Sequence, residues 1–280
     1  MKLYDIHMRD PFILPYNGVY YLYGTRSFHN TGFDVHTSTD LENWSEPHSI
    51  FEASPNFWGT ADFWAPEVHV YKGRFYMFAS FINPTVHRGT AILVSDSPMG
   101  PFVPYSDGAV TPRDWECLDG TLHVDEDGQP WMVFCHEWVQ IGDGTVCAIK
   151  LSDDLHHAIS DPIELWKASD APSVCHLSWK EGAYVTDGPF IFRHDGKLMS
   201  LWASFDETGY MEILACSDNG RIDGNWSVDF PPLLQGVDSG HGMIFTTFEG
   251  QRKFTCHHPN RDPNERPVLY SVSGLTFTKD

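Results

Sequence analysis

Residues 184–204 read YVTDGPFIFRHDGKLMSLWAS and contain the pattern that decides the fold. Asp187 stands before a Gly-Pro pair, and two apolar runs follow that are joined at Asp195-Gly196. Asp-Gly between apolar runs is a strong hairpin signal, because both central residues of a type I′ turn need positive φ. A single aspartate before Gly-Pro is normally a turn residue that bonds its own backbone, so its meaning depends on whether the unit recurs.

The same unit occurs at five places along the chain. Each copy has a polar or small anchor residue, an apolar run and, seven or eight residues after the anchor, a glycine turn. The anchors are Asp10, Ala65, Asp119, Asp187 and His241, and the turns are Asn17-Gly18, Lys72-Gly73, Asp127-Gly128, Asp195-Gly196 and Glu249-Gly250. Third-strand candidates such as GFDVHTSTDLENW and TAILVSDSPMGPF follow the hairpins, and anchors lie 54 to 68 residues apart. The pattern predicts an all-β fold, a five-bladed β-propeller that occupies residues 1–280 as one domain.

Composition and charge narrow the class of partner. The formal net charge of −20 argues against nucleic acid and anionic membranes, and it disfavours polyanionic substrates. No apolar run approaches the ~20 residues that span a bilayer, and MKLYDIHMRD lacks the apolar region of a signal peptide. We therefore expect a cytoplasmic protein, or a secreted or periplasmic one whose signal peptide has been removed. The six scattered cysteines are typical of buried thiols, not of a zinc site.

The anchors predict a functional site on the propeller axis, because the innermost strand of each blade begins there. Asp10, Asp119 and Asp187 would then face His241 across one cavity. Converging carboxylates repel one another, and sites tolerate this cost where acid and base chemistry needs different pKa values. Two carboxyl groups on opposite sides of a bond are what glycoside hydrolysis requires, and a third can adjust the pKa of the acid.

Loops between the second and third strands of the blades should open onto the same face. They would bring in Arg26, Phe81, His136, Glu137, Trp138, Phe205, His257 and His258. Aromatic residues at the rim would pack against a sugar ring, and Trp64 and Trp138 are favoured over Phe33, Phe81 and Trp115, although core packing explains each of them equally well. The predicted substrate-binding residues are Trp64, Ala65, Phe81, Glu137, Trp138, His241, His257 and Arg266.

The motifs resemble those of glycoside hydrolase family 43 over essentially the whole length. RDPFI around Asp10, WAPEVHVYKGRFYMF in the second unit and LDGTLHVDEDGQPWMVF around Asp119 are similar to the opening motifs of its five-bladed propellers. The resemblance implies that Asp10 is the general base that activates water and that Asp119 adjusts the pKa of the acid and orients it. The fourth motif departs from the pattern, since the family usually has glutamate where Asp187 stands. Glu137, and more weakly Glu67, are alternative proton donors.

The GHG sequence around His241 is similar to the fifth-blade histidine of this family, which implies a calcium ion or water near the axis. Any such ion would be held mainly through waters and backbone oxygens, since imidazole is an unusual calcium ligand. No cofactor is required. DEDGQ at residues 125–129 superficially resembles a calcium loop and is interpreted as a hairpin turn. Arg261-Asp262-Pro263 is interpreted as a loop turn, although related fructosidases have a similar triplet.

The resemblance implies an inverting, exo-acting enzyme whose partner is an oligosaccharide or polysaccharide. It would release terminal L-arabinofuranose or D-xylose from plant polysaccharide fragments, with Asp187 as general acid. Loops around Phe81 to Arg88 and Trp138 would wall the site. A galactosidase activity and a catalytically silent carbohydrate-binding propeller are the alternatives. For inversion, the carboxyl groups of Asp10 and Asp187 should lie roughly 6.5 to 9.5 Å apart.

Overall fold

The computed structural model describes residues 1–26, 31–234 and 236–280. Within these ranges it has five four-stranded antiparallel sheets, which form the blades of a β-propeller. Blade I contains β1 (Arg9–Tyr16), β2 (Val19–Thr25), β3 (Gly32–Ser38) and β4 (His48–Glu52). Blade II contains β5 (Ala61–Tyr71), β6 (Arg74–Asn83), β7 (Val86–Ser95) and β8 (Val103–Ala109). Blade III contains β9 (Cys117–Val124), β10 (Pro130–His136), β11 (Thr145–Lys150) and β12 (Ile163–Lys167). Blade IV contains β13 (Asp187–His194), β14 (Lys197–Asp206), β15 (Gly209–Ser217) and β16 (Trp226–Ser227). Blade V contains β17 (Gly240–Thr246), β18 (Arg252–His258), β19 (Arg266–Ser273) and β20 (Thr276–Lys279).

Helical structure in the described ranges is limited to short segments. The helix α1 (Trp138–Ile141) lies between β10 and β11, and 3-10 turns occupy Leu3–Asp5 and Ala168–Asp170. No helix in those ranges is long and apolar enough to cross a membrane. The five sheets confirm the predicted five-bladed fold, and each blade is built from consecutive strands.

The five hairpin turns lie where the glycine signals predict them, but they are of two kinds. Asn17-Gly18, Lys72-Gly73 and Asp195-Gly196 each have two positive φ angles, as a type I′ turn requires. The turns at Gly128 and Gly250 are five-residue loops, residues 125–129 and 247–251, in which only the glycine has positive φ. The prediction of type I′ geometry is therefore wrong for these two turns. The Asp125 carboxylate accepts hydrogen bonds from the N–H groups of Asp127 (3.0 Å) and Gln129 (2.9 Å), so DEDGQ is a hairpin turn.

The core lies between neighbouring blades, because each sheet buries both of its faces. Phe78 of blade II belongs to one apolar cluster with Phe134 of blade III, and Leu201 of blade IV belongs to another with Phe254 of blade V. Phe245 of blade V joins the cluster of blades I and II. All six cysteines are free thiols, and four of them are buried.

The ring closes between blade V and blade I, where β1 lies beside β17. The Met8 N–H donates to the Glu265 carbonyl (3.3 Å), and the Arg9 guanidinium donates to the Glu265 carboxylate (2.8 Å). Arg261-Asp262-Pro263 lies in the loop that precedes these contacts, between β18 and β19, as predicted.

A β-bulge interrupts every inner strand at the anchor position. Pairing with the second strand skips two residues after Arg9, Trp64, Leu118, Asp187 and Gly240. The residue after each of these has positive φ, namely Asp10 (51°), Ala65 (44°), Asp119 (56°), Gly188 (50°) and His241 (56°). Positive φ at four non-glycine residues is strained, and such strain concentrates at functional sites. The bulges redirect these residues toward the axis.

The bulge register corrects one sequence alignment. In blade IV the residue equivalent to Asp10 and Asp119 is Gly188, and Asp187 stands one position earlier. The reason is steric: a Cβ on Gly188 would lie 2.6 Å from Cδ2 of His241, so the bulge position must be glycine. In the bulge segment of β13, the carboxylate is therefore that of Asp187, the residue before the bulge.

Candidate active site

The inner strands converge on an axial cavity of about 190 Å³. It is lined by Arg9, Asp10, Trp64, Leu118, Asp119, Glu137, Trp138, Asp187 and His241. The predicted carboxylates and histidine are thus brought together from four blades. Four of the lining residues, Arg9, Trp64, Leu118 and Asp187, occupy the equivalent position before the bulge. Asp187 therefore reaches the cavity from a different backbone position than Asp10 and Asp119.

Asp10 is buried and held by hydrogen bonds from two blades. Thr25 Oγ1 donates to Asp10 Oδ2 (2.6 Å), and the Asp10 N–H donates to His257 Nδ1 (3.3 Å). Burial would raise the pKa of Asp10, but the charges of His241 and Arg9 outweigh it and hold the pKa below its usual value. Asp10 is therefore the ionised carboxylate of the cavity at neutral pH.

His241 stands between the carboxylates. Its Nδ1 lies 3.2 Å from Asp10 Oδ1 and 3.7 Å from Asp119 Oδ2. Burial would lower the pKa of His241, but the surrounding carboxylates, led by Asp10 and Asp119, raise the pKa to about 9. The ring is an imidazolium at neutral pH, and its charge compensates part of the buried negative charge.

Asp119 and Asp187 are linked through the glycine of the blade IV bulge. The Gly188 N–H donates to Asp119 Oδ2 (3.0 Å), and Tyr210 Oη donates to Asp187 Oδ2 (2.9 Å). Burial raises the pKa of Asp119 to about 7 against the charge of His241, with the charge of Asp187 adding to the rise. Burial also raises the pKa of Asp187, opposed by His241. One proton shared by this pair can persist to near neutral pH.

Glu137 enters the cavity from the blade III loop, directly before α1. Arg88 binds its carboxylate and also donates to Asp62 Oδ2 (2.6 Å from Nη2), while the guanidinium lies over the Trp64 ring at 4.6 Å. Burial raises the pKa of Glu137 to about 7, against the opposing charge of Arg88. The contact with Arg88 places a further protonatable carboxyl group at the wall of the cavity.

Four of the predicted substrate-binding residues do not line the axial cavity. Phe81 is fully buried in an aromatic cluster with Phe33 and Phe63, so it is a core residue. Ala65 is buried, and its N–H donates to Thr25 Oγ1 (2.8 Å), so its role is to link blades I and II. These two positions were misplaced because the sequence alone does not distinguish a residue of the core from a residue at the rim of the site.

His257 and Arg266 are the other two. His257 is fully buried behind Asp10, and its Nε2–H donates to Asn260 Oδ1 (3.1 Å). Arg266 contacts the N-terminal segment, with Nη2 2.7 Å from His7 Nε2 and Nε donating to the Tyr4 carbonyl (3.1 Å). Of the remaining loop candidates, His136 stacks on Trp115 at 4.1 Å, and Arg26 pairs with Asp34 (2.8 Å). Glu67 is paired with His69 (3.0 Å).

Several residues at the site were missed by the sequence analysis. Arg9 and Leu118 line the cavity, Arg88 holds Glu137, Thr25 holds Asp10, and Tyr210 holds Asp187. Arg9 and Leu118 immediately precede anchors, so the repeat itself was a usable signal. Tyr210 and Arg88 lie on third strands, and only the three-dimensional packing brings them to the site.

A calcium ion near His241 stays a prediction. Direct coordination of such an ion by Nδ1 of His241 does not fit the structure. This nitrogen faces two carboxylates at 3.2 and 3.7 Å, so it presents a proton to them and not a lone pair. Among the residues that the structure describes, no group of three or more His, Cys, Asp or Glu side chains is placed to hold a metal ion.

Comparison with known proteins establishes the class. The profile of "Glycosyl hydrolases family 43" matches residues 4–272. The chain belongs to this family of glycoside hydrolases. Its propeller superposes on the crystal structure of an endo-arabinase from Bacteroides thetaiotaomicron with a TM-score of 0.91 and 41% identity, covering 98% of this chain and 96% of that one.

Two curated relatives are longer than this chain. An extracellular exo-α-(1→5)-L-arabinofuranosidase of Cellvibrio japonicus is 30% identical over 223 residues, which are 73% of this chain and 60% of that protein. An extracellular endo-α-(1→5)-L-arabinanase of Bacillus subtilis is 27% identical over 47% of this chain and 44% of its own length. The chain thus spans less than two thirds of the length of these two relatives.

Proposed function

We propose that this glycoside hydrolase cleaves α-L-arabinofuranosyl linkages with inversion of configuration. The observation that carries the proposal is the axial cavity, in which an ionised Asp10 shares one enclosed space with Asp119 and Asp187, whose pKa values are raised. A base that stays ionised and an acid that stays protonated are the two groups this reaction needs at the same pH.

In the proposed mechanism Asp10 takes a proton from the attacking water. Thr25 and the backbone contact to His257 fix the Asp10 carboxylate, and His241 keeps it ionised. Asp187 donates a proton to the leaving oxygen, and Asp119 raises the fraction of the pair that is protonated. Tyr210 holds the Asp187 carboxyl group. Glu137 is the alternative donor, because burial also keeps it protonatable near neutral pH.

Similarity to relatives supports arabinofuranose as the sugar. Three relatives named above act on arabinan or arabinofuranosides according to their names. D-Xylose is the second candidate, since a structure titled endo-1,4-β-xylanase from Bacteroides thetaiotaomicron superposes with a TM-score of 0.79 at 25% identity. Two of the arabinan-directed relatives are named as extracellular proteins, which favours export of this chain as well.

Exo-action is favoured by the size of the cavity. Its volume of about 190 Å³ lies below the ~300 Å³ at which sites for drug-sized ligands begin, so it suits a single sugar ring. Endo-action is the second candidate, because a cavity of about 550 Å³ lined partly by Trp58, His87 and Arg88 adjoins the same wall. Arg88 contacts both Trp64 and Glu137, so a chain that continues past the axial cavity would meet it.

A panel of aryl glycosides and linear arabinan tests the proposal. We expect release of arabinose from 4-nitrophenyl α-L-arabinofuranoside and from α-1,5-arabino-oligosaccharides, and loss of both activities in Asp10→Asn. Early accumulation of long oligosaccharides from arabinan, without monosaccharide, would assign endo-action. If no glycoside on the panel is cleaved while oligosaccharides still bind, the protein is a carbohydrate-binding propeller and the proposal is wrong.

A further inference from the structure

A further cavity, here named the side cleft, lies close to the axial cavity. It has a volume of about 740 Å³ and is formed by residues 174–179, Tyr184 and residues 205–209 at the β14–β15 turn. Its lining includes the aromatic side chains of His176, Trp179, Tyr184 and Phe205, together with the polar groups of Ser178 and Glu207. The mechanism proposed above uses none of these residues.

The side cleft shares a wall with the axial cavity. Trp138, which lines the axial cavity, contacts Trp179 edge-on with ring centroids 5.6 Å apart. Trp138 and Phe205 pack against the same small cluster of Leu177, Ala183 and Val185. Trp138 therefore stands between the axial cavity and the side cleft.

The cleft is preformed, because hydrogen bonds fix both of its sides. The Cys175 N–H donates to the Phe205 carbonyl (2.8 Å), and the Leu177 N–H donates to the Ala183 carbonyl (2.8 Å). On the opposite side the Asp206 carboxylate accepts from the N–H groups of Thr208 (2.6 Å) and Gly209 (3.0 Å). Binding would not have to order these segments, which lowers its entropic cost.

Trp179 is the feature that points to a ligand. It is 70% exposed, although tryptophan is highly buried on average. An aromatic plane with hydrogen-bonding groups around it suits a sugar, whose C–H face packs on the ring while its hydroxyls reach polar atoms. Ser178 and Glu207 provide such atoms on either side of the cleft. The carboxylates of Asp206 and Glu207 and the net charge of −20 disfavour an anionic chain.

We propose that the side cleft binds further sugar residues of a neutral pentose oligosaccharide whose reacting sugar occupies the axial cavity. The proposal rests on the proposed function and adds a second binding region to it. It makes the enzyme sensitive to chain length, since a substrate with one sugar cannot reach Trp179.

The test compares substrates that differ in length. For the wild type and for Trp179→Ala, kcat/KM is measured on 4-nitrophenyl α-L-arabinofuranoside and on α-1,5-arabinopentaose. We expect the ratio of the pentaose value to the aryl glycoside value to fall roughly tenfold in Trp179→Ala, the effect of one lost aromatic contact together with its buried area. Trp179→Phe keeps a ring and should retain more of the ratio. Tyr4→Ala, which removes an equally exposed aromatic (71%) outside both cavities, should leave the ratio unchanged.

A parallel fall of both values in Trp179→Ala, with the ratio unchanged, would overturn the proposal. Failure of the wild type to cleave either substrate would refute the proposed function instead. The cleft is then tested by titrating arabinopentaose into the wild type and into Trp179→Ala: weaker binding by the variant supports it, and equal affinity or no binding overturns it.

Discussion

The backbone N–H of Gly188 donates a hydrogen bond of 3.0 Å to Oδ2 of Asp119, so the blade III carboxylate is tied to the residue that follows Asp187. This bond and the bond from Tyr210 Oη to Asp187 Oδ2 (2.9 Å) hold the two carboxyl groups next to the blade IV bulge. Because burial raises the pKa of both groups, they behave as a pair that retains a proton up to near neutral pH.

This pair predicts the basic limb of the pH profile. The pKa of Asp119 is raised to about 7, so the proton needed for donation is present below this pH and is lost above it. We expect kcat/KM to fall as the pH rises through this value. Asp119→Asn keeps an acceptor for the Gly188 N–H but removes a negative charge beside Asp187, so the limb should move to lower pH.

The control for this shift is Asp195→Asn, which removes the exposed carboxylate of a hairpin turn and should leave the limb in place. If Asp119→Asn lowers the rate at every pH without moving the limb, Asp119 only positions neighbouring groups and does not adjust the pKa of the acid.

The repeat made most of the fold predictable, and the bulges limited what could be predicted about the site. Glycine turns and apolar runs follow from local backbone preferences, so the hairpins of all five blades were placed correctly. The position of Asp187 depends on the steric exclusion of a Cβ by His241, which is a contact between blades. Arg88 and Tyr210 likewise reach the axis only through tertiary packing, which no local pattern reports.

Stereochemistry tests the role of Asp10. If Asp10 activates water, the product first formed has inverted configuration, which proton NMR of the released sugar detects before mutarotation. A nucleophilic role would require carboxyl groups roughly 5 to 5.5 Å apart, in place of the roughly 6.5 to 9.5 Å that leaves room for water. Retained configuration in the first product would exclude the general-base mechanism.

His257 predicts a pH-dependent component of stability. Burial lowers the pKa of His257 to about 3, and its Nδ1 accepts the Asp10 N–H. Below the ordinary histidine pKa, the unfolded chain therefore binds a proton at residue 257 that the native state does not bind. Stability is consequently lost as the pH falls from about 6.5 toward 3. In His257→Gln, the loss of unfolding free energy between pH 7 and pH 5 should be smaller by about 2 kcal/mol.

Urea denaturation at the two pH values measures this difference. His48→Gln, at an exposed histidine, is the matched control and should lose as much stability as the wild type. An equal loss in His257→Gln would mean that His257 is protonated in the native state.

Arg88 predicts the energetic role of the wall around Glu137. It is mostly buried, binds Glu137 and Asp62, and packs on Trp64. Arg88→Ala leaves the Glu137 carboxyl group buried without this partner, so we expect a loss of about 3 to 5 kcal/mol in unfolding free energy. Arg74→Ala removes an exposed pair with Asp96 and should have little effect. Equal losses by calorimetry would show that the buried pair contributes no more than the exposed one.

The identity of the proton donor follows from the dependence of rate on the leaving group. General acid catalysis contributes roughly 10² to 10⁴ in rate, but only where the leaving oxygen needs a proton. If Asp187 is the donor, Asp187→Asn should abolish cleavage of arabino-oligosaccharides and spare much of the activity on aryl glycosides with acidic phenols. Asp10→Asn should damage both activities, because water must be activated in either case.

Glu137→Gln is the decisive comparison, because burial raises the pKa of Glu137, a further carboxyl group of the cavity, to about 7. The Gln side chain preserves the shape and a hydrogen-bond acceptor for Arg88 but cannot donate an acidic proton. If this variant shows the leaving-group dependence and Asp187→Asn does not, the proton comes from the blade III loop. Asp187 would then be only a half-buried residue at the start of β13, held by Tyr210, and its shorter side chain relative to glutamate would have no catalytic consequence.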